Sequence, residues 1–128
     1  MWVAIMAAIT LSSSALLFGD AESPFLSPRR VADQLGINLG ELAKLVGVAR
    51  NTLAAKTGAR KVDAALSPVV RILAMAAEMA GDQQRAAIWF KHQPIPGWAG
   101  KTAYDLVREG KAEKVLTYLE AVRAGVYA

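Results

Sequence analysis

Residues 42–53 read Leu-Ala-Lys-Leu-Val-Gly-Val-Ala-Arg-Asn-Thr-Leu, and this stretch decides the fold. Its spacing is typical of two short helices joined by a tight turn. Ala43 stands where the two helices approach each other, and Gly47 supplies the left-handed backbone that other residues adopt only at a cost. The apolar residues that would hold the pair together are Leu42, Val48 and Leu53. The stretch therefore predicts a helix-turn-helix, although Ala49 replaces the usual Ser or Thr cap of its second helix, a loss of about 1 kcal/mol.

Residues that typically start and end helices also occur on both sides of this motif. No alternation of apolar and polar residues is long enough to predict a strand. Ser27-Pro28 opens a helix that Gly36 ends. Ser67-Pro68 repeats this cap-plus-proline pattern, so we expect it to open another helix that runs through Met79. The other predicted helices cover about residues 39–46, 50–56 or beyond, 82–90, 102–109 and 111–124. The sequence therefore predicts an all-α fold, in which a helix-turn-helix bundle precedes a small helical domain.

The amino-acid composition limits the size of the core, the partners and the kinds of site that the chain can have. The chain has 128 residues, of which 54% are hydrophobic and 20% charged, so it has enough apolar surface for one compact unit or for two small ones that share a core. Its net charge of +4 suits a polyanionic partner but also many ordinary soluble proteins. Because it contains no cysteine, disulfides, thiolate metal sites and cysteine nucleophiles are excluded.

A basic run coincides with the helix-turn-helix. Between residues 42 and 61 the chain has five basic residues and no acidic residue. If the second helix of the motif enters a major groove, the side chains at its start, Arg50 and Asn51, are the ones that reach the bases. Arginine pairs with guanine edges and asparagine with adenine edges. The alternative is an ordinary solvated helical face. The predicted DNA-binding residues are Lys44, Arg50, Asn51, Lys56, Arg60 and Lys61.

The first part of the chain, residues 1–26, is apolar and its role stays open. Residues 2–18 carry no charge, but 17 residues fall short of the roughly 20 that span a bilayer. Gly19-Asp20-Ala21 offers a signal-peptide cleavage pattern, yet no Lys or Arg precedes the apolar run. The alternatives are a secretory signal or anchor, an extra helix that packs on the fold or across a dimer, and a start codon placed too far upstream.

Aromatic residues surround a loop rich in proline and glycine near residue 95. Trp89 and Phe90 lie on a predicted helix and are expected in the core, because such side chains dominate small cores. Trp98 lies in the loop, between Gly97 and Ala99. It is therefore either a lid over the core or an anchor at an interface.

The pattern does not indicate an enzyme. His92 is the one histidine and has no companion ligand or triad partner in its loop. Asp105 and Glu109 are four residues apart, but Lys101, Arg108 and Lys111 interleave with them, so we predict a solvated, ion-paired surface. No glycine-rich phosphate loop follows a strand. We therefore expect no catalytic residue, no metal site and no cofactor.

Several features of the C-terminal third occur together. They are Trp89, the run Gly100-Lys-Thr-Ala-Tyr-Asp-Leu-Val107, Gly110, and the closing Gly125-Val126-Tyr127. In these features, and in the helix-turn-helix, residues 29–128 resemble the Xre/MbcA/ParS family of antitoxins. One departure is Ala103, where the family commonly has proline at the first position of a short helix; alanine is also a good helix former.

The resemblance implies a cytoplasmic antitoxin with a helix-turn-helix domain at 27–80 and a toxin-binding domain at 82–128. Its partners would be operator DNA and a RES-domain toxin that destroys NAD, in a homodimer or a higher toxin–antitoxin complex, without a membrane. In such complexes the antitoxin's C-terminal end lies at the toxin's active-site cleft. The implied toxin-binding residues are Trp98, Lys101, Arg108, Gly125, Val126, Tyr127 and Ala128.

Three alternatives remain. The chain is a stand-alone helix-turn-helix repressor without a toxin partner, an interaction protein whose motif no longer reads DNA, or a membrane-tethered or exported module that uses its apolar N-terminus.

Overall fold

The computed structural model describes residues 19–20, 23–55 and 59–125. Within them, seven helices follow one short antiparallel pair of strands. The strands are β1 (Gly19–Asp20) and β2 (Ser23–Leu26), and the helices are α1 (Pro28–Leu35), α2 (Leu39–Val46), α3 (Arg50–Ala54), α4 (Ala59–Ala80), α5 (Gln83–His92), α6 (Ala103–Arg108) and α7 (Ala112–Arg123). The all-α prediction is confirmed, with the small hairpin as an addition that the sequence did not indicate.

The ends of α1 and α2 follow from local side chains. The Ser27 hydroxyl accepts a hydrogen bond from the Arg30 N–H, and Gly36 ends α1 at a φ of 67°. At the start of α2, the Asn38 side chain and the Glu41 side chain each bond the other's backbone N–H, which forms a capping box. Gly47 ends α2 at a φ of 75°, as the turn of the predicted motif requires.

The second helix of the motif, α3, is shorter than predicted. It ends at Ala54, because Ala55 is extended, with a ψ of 146°. Ala49 is also extended and provides no side-chain cap, as its sequence position indicated. Of the three apolar residues predicted to hold the two helices together, Leu42 and Leu53 are buried in the core and Val48 is partly buried against it.

The predicted helix start at Ser67-Pro68 is wrong. Instead α4 is continuous from Ala59 to Ala80, with Pro68 inside it. A proline in a helix lacks an N–H donor and crowds the preceding turn, which disfavours the helix before it. Here the turns before Pro68 stay helical because Val62 and Leu66 are buried in the core.

The hairpin is attached to α4. The backbone N–H of Leu26 donates to Oδ1 of Asp63 over 2.8 Å, and Leu26 packs partly buried against the core. Strands this short produce no detectable alternation in the sequence, which explains why β1 and β2 were not predicted.

One hydrophobic core joins both halves of the chain. It includes Leu35, Leu42 and Leu53 from the helix-turn-helix side and Phe90, Leu106, Val115 and Leu119 from the C-terminal side. Helix α4 contributes its buried residues to the same cluster and contacts α5 and α7 most extensively. The motif and the C-terminal helices are therefore parts of one packed unit.

No single helix in the described part of the chain is long and apolar enough to cross a membrane. The pair α4 and α5 meets the criteria of length and composition only when taken together, and it is bent by 116°.

Candidate DNA-binding and partner-binding surfaces

The helix-turn-helix and the start of α4 carry the predicted DNA-binding residues that the structure describes. Lys44 is exposed on α2, and Arg50 and Asn51 are exposed in the first turn of α3. Arg60 and Lys61 are exposed at the start of α4, which packs against α3. Lys56 lies outside the described residues. The structure therefore places the described members of the set on neighbouring elements, all open to solvent.

Arg50 lies beside the first turn of α2. A methyl group built on Gly40 would lie 3.9 Å from Cδ of Arg50 and 3.2 Å from Oδ1 of Asn38. Arg50 itself begins α3, so the amino ends of α2 and α3 meet at this residue. A guanidinium group favours phosphate oxygens, so the exposed Arg50 is suited to contact a nucleic-acid backbone.

Trp98 lies in a loop that closes on itself between α5 and α6. The Ile95 N–H donates to the Lys101 carbonyl over 2.8 Å, and the Lys101 N–H donates to the Trp98 carbonyl over 3.0 Å. Ala99 adopts a φ of 52°, which is unusual for a residue other than glycine. Ile95 is buried, and Trp98 is half-buried against the core. The loop thus fixes the tryptophan ring as a partial cover for the core with one face available to charged neighbours.

A network of charges surrounds this ring. Nζ of Lys101 lies 2.7 Å from Oε1 of Glu109, and Nζ of Lys111 lies 3.5 Å from the same oxygen. The Lys111 ammonium also lies 5.5 Å from the centroid of the Trp98 ring, a cation–π contact. The hydrogen bond from Lys101, together with the two ammonium charges, lowers the pKa of Glu109. We call Trp98, Lys101, Glu109 and Lys111 the Trp98 cluster.

Glu109 and Lys111 were not among the predicted partner-binding residues. The sequence indicated that they form ion pairs, and the described contacts confirm this. The signal that links them to Trp98 is Gly110, whose φ of 80° reverses the chain between α6 and α7. This reversal carries both residues back to the loop.

Arg108 belongs to a different set of contacts. Its guanidinium lies 3.7 Å from Oδ1 of Asp105, which also forms a capping box with Thr102 at the start of α6. Arg108 is more than half exposed, so this pair is worth little free energy. Arg108 is thus tied to its own helix, and no described contact places it in the Trp98 cluster.

Gly125 lies far from the Trp98 cluster. Lys111 precedes α7 and Gly125 follows it, and a helix of 12 residues is about 18 Å long. The Arg123 guanidinium lies 3.9 Å from a carboxylate oxygen of Glu78, so α7 ends beside the end of α4. Val126, Tyr127 and Ala128 lie outside the described residues. The structure therefore brings Trp98 and Lys101 together, but it separates them from Gly125.

No group of three or more His, Cys, Asp or Glu side chains in the described residues is placed to hold a metal ion. His92 is exposed at the end of α5.

Two family models match the chain. Residues 20–70 match the antitoxin Xre-like helix-turn-helix domain, and residues 75–125 match the antitoxin Xre/MbcA/ParS C-terminal toxin-binding domain. Searches of curated proteins and of solved structures found no match. The four residues between the two matched segments, 71–74, lie within α4. The division into domains at 27–80 and 82–128 stays a prediction.

Proposed function

Because the chain carries an antitoxin-type helix-turn-helix domain and a toxin-binding domain, we propose that it is the antitoxin of a type II toxin–antitoxin pair. It binds and neutralises a protein toxin through residues 82–128, and it binds operator DNA through residues 27–80 to repress the shared operon. The observation that carries this proposal is the occurrence of both domains on one core.

The partner in this proposal is a RES-domain toxin that degrades NAD. A site that binds a dinucleotide needs a concave, cationic pocket, and in this proposal Tyr127 and the residues beside it occupy that pocket without reacting. The Trp98 cluster contacts the same toxin outside its cleft, because the length of α7 separates the cluster from Gly125. The toxin thus contacts both ends of α7.

The DNA-binding arm acts as a homodimer. A two-fold symmetric protein presents two helix-turn-helix motifs to the two half-sites of a palindromic operator. In each copy, Asn51 reaches a base edge, while Arg50, Lys44, Lys56, Arg60 and Lys61 contact phosphates.

Co-expression tests the toxin arm. The protein encoded in the adjacent reading frame is expressed alone and together with this chain, and growth and cellular NAD are measured. We expect the adjacent protein alone to deplete NAD and arrest growth, and the full chain to restore both. If DNA binding is intact but no neighbour-encoded protein is neutralised, the chain is a stand-alone repressor instead.

The salt dependence of DNA binding tests the other arm. The Arg50→Ala variant is compared with Lys114→Ala, which removes the same charge from an exposed position on α7. Each lost phosphate contact lowers the slope of log affinity against log salt by about 1. We expect Arg50→Ala to weaken binding and flatten or lower this slope, and Lys114→Ala to change neither. Equal effects of the two variants would indicate nonspecific attraction and contradict a DNA-reading motif.

A further inference from the structure

Two large apolar side chains are exposed in the part of the chain that the structure describes, Met79 at 40% and Ile88 at 55%. Met79 follows Glu78, which the Arg123 guanidinium contacts at the end of α7, so Met79 lies near the proposed toxin surface. Ile88 lies on α5 and belongs to neither the predicted DNA-binding set nor the predicted toxin-binding set. A single exposed isoleucine is ordinary in a folded protein, so its surroundings decide whether it marks a contact.

Ile88 lines a groove of about 440 Å³ between α5 and the end of α1. Residues 33–36 form the wall on the α1 side, and Ile88 and Lys91 stand in the wall on the α5 side. Helices α1 and α5 pack against each other, and Nε2 of Gln34 donates to the Gln83 carbonyl over 2.9 Å, which joins the two walls. We call this surface the Ile88 groove. An exposed apolar side chain thus stands beside a hollow between two helices that are bonded to each other.

The two walls of the Ile88 groove carry opposite charges. Asp33 is exposed on the α1 wall. Lys91 stands on the α5 wall, and its ammonium lies 3.7 Å from a methyl group built on Gly36, at the end of α1. Neither Asp33 nor Lys91 has an ion-pair partner among the described residues. The groove therefore presents one unpaired charge of each sign beside its apolar side chain.

A surface built in this way is complementary to itself. In a two-fold symmetric dimer the same patch meets itself, so that residue i of one copy contacts residue j of the other, and j contacts i. When the two-fold axis runs along the groove, the α1 wall of each copy faces the α5 wall of the other. Asp33 then meets the partner's Lys91 in two equivalent places, and each Ile88 faces the groove of the other copy. Complementary charges around an apolar centre favour a specific contact.

We propose that the Ile88 groove is the surface through which two copies of this chain associate. This inference rests on the proposed function, because it supplies the contact face of the homodimer that a palindromic operator requires. The groove contains no residue of the predicted DNA-binding or toxin-binding sets, so both surfaces stay free in such a dimer. The occupant is a second copy because this chain itself offers the matching charge for each wall.

Sedimentation velocity of the full chain over a range of protein concentrations tests the apolar centre. We expect the wild type to form a dimer and Ile88→Asp to raise its dissociation constant at least about tenfold, because the variant places an unpaired carboxylate at the centre of the contact. Met79→Asp is the matched control, since it makes the same change at the other exposed apolar side chain. It leaves the dissociation constant unchanged.

An exchange of charges tests the pairing across the dimer. Asp33→Lys and Lys91→Asp each place like charges opposite each other, so each variant alone weakens the dimer about tenfold. An equimolar mixture of the two variants restores it, because both contacts of the mixed dimer then join opposite charges. The double variant restores it for the same reason. Since both side chains lie on the surface of the groove, these variants keep the core intact.

Three results overturn the proposal. A dimer that neither Ile88→Asp nor the charge variants weaken is formed by another face, and the homodimer of the proposed function then stands. A wild type that stays monomeric at every concentration refutes both this face and that homodimer. If Ile88→Asp stays dimeric but no longer neutralises the toxin, the groove binds the toxin instead of a second copy.

Discussion

At the scale of single residues, side-chain caps define most of the helix starts. Ser27, Asn38, Asp82 and Thr102 each accept a hydrogen bond from a backbone N–H in the first turn of their helix. Ser27 was predicted as such a cap, and all four residue types are favoured at helix starts because their side chains bond backbone donors there. The second helix of the helix-turn-helix is an exception, since Ala49 makes no such bond.

This exception leads to a prediction about Ala49. Its φ of −68° and ψ of 144° already match a capping residue, so a hydroxyl at this position reaches the first-turn N–H groups without backbone change. We expect Ala49→Ser to raise the free energy of unfolding by about 0.5–1 kcal/mol in urea denaturation. Ala55→Ser, at the other end of α3, is the control and should change little. A neutral Ala49→Ser would mean that α3 does not need this cap.

At the scale of elements, the positions of the helices were predicted from the sequence, but the predicted helix start at Ser67-Pro68 was wrong. The pattern Ser67-Pro68 is the same as Ser27-Pro28, yet Pro28 begins a helix and Pro68 lies within one. The difference is tertiary: Val62 and Leu66, before Pro68, are buried in the core. Local propensity cannot report such packing, because it depends on helices distant in the chain.

The Trp98 cluster was predicted only in part for a related reason. The sequence indicated Trp98 and Lys101, and these lie together. It did not link Glu109 and Lys111 to Trp98, since that contact depends on the chain reversal at Gly110. The ion pair between Asp105 and Arg108 can be predicted from their spacing along one helix. The contacts that join the loop, the end of α6 and the start of α7 cannot, because they depend on the tertiary structure.

The Glu109 network joins three elements and makes stability depend on pH. The pKa of Glu109 is lowered in the folded chain, so its ionised form stabilises the fold above its ordinary pKa of 4.5. This contribution is lost as the pH falls through the lowered folded-state pKa. We expect Glu109→Gln to lower the melting temperature near pH 7, and the difference from wild type to shrink and then vanish as the pH falls below 4.5 and through the lowered pKa of the folded chain.

Thermal unfolding followed by circular dichroism at several pH values checks this. Because Glu109 is exposed, added salt should also reduce the difference in melting temperature between wild type and Glu109→Gln at neutral pH. Glu120→Gln, an exposed carboxylate on α7 outside the network, is the control. A Glu109→Gln effect that stays constant from neutral to acid pH would contradict the ion-pair explanation.

At the scale of the whole molecule, the shared core makes the two halves depend on each other. Leu42 and Leu53 lie in the same buried cluster as Leu106 and Leu119. The sequence allowed either one unit or two small ones with a common core, and the structure shows the common core. A division of the chain after residue 80 would expose apolar surface on both pieces.

We therefore predict one cooperative unfolding transition. Tryptophan fluorescence of a Trp2→Phe variant, which reports on the C-terminal side through Trp89 and Trp98, should coincide with circular dichroism of all helices. An isolated fragment of residues 82–128 should lack a cooperative transition. Two separate transitions, or a fragment that folds alone, would contradict the shared core.

The positions of the two proposed surfaces in the whole molecule bear on the mechanism of neutralisation. In the proposed function the toxin contacts lie at both ends of α7, and residues 126–128 are the ones proposed to enter the toxin's active site. The described members of the predicted DNA-binding set lie on α2, α3 and α4, so we expect removal of residues 126–128 to leave DNA binding unchanged. The two activities are therefore separable by mutation.

The most direct measurement compares toxin neutralisation by the full chain, by a variant that lacks Val126 to Ala128, and by Arg50→Ala. We predict that the truncated variant fails to protect cellular NAD while it binds duplex DNA as tightly as the full chain does, and that Arg50→Ala shows the reverse. Full neutralisation by the truncated variant would contradict the insertion of residues 126–128 into the toxin's active site.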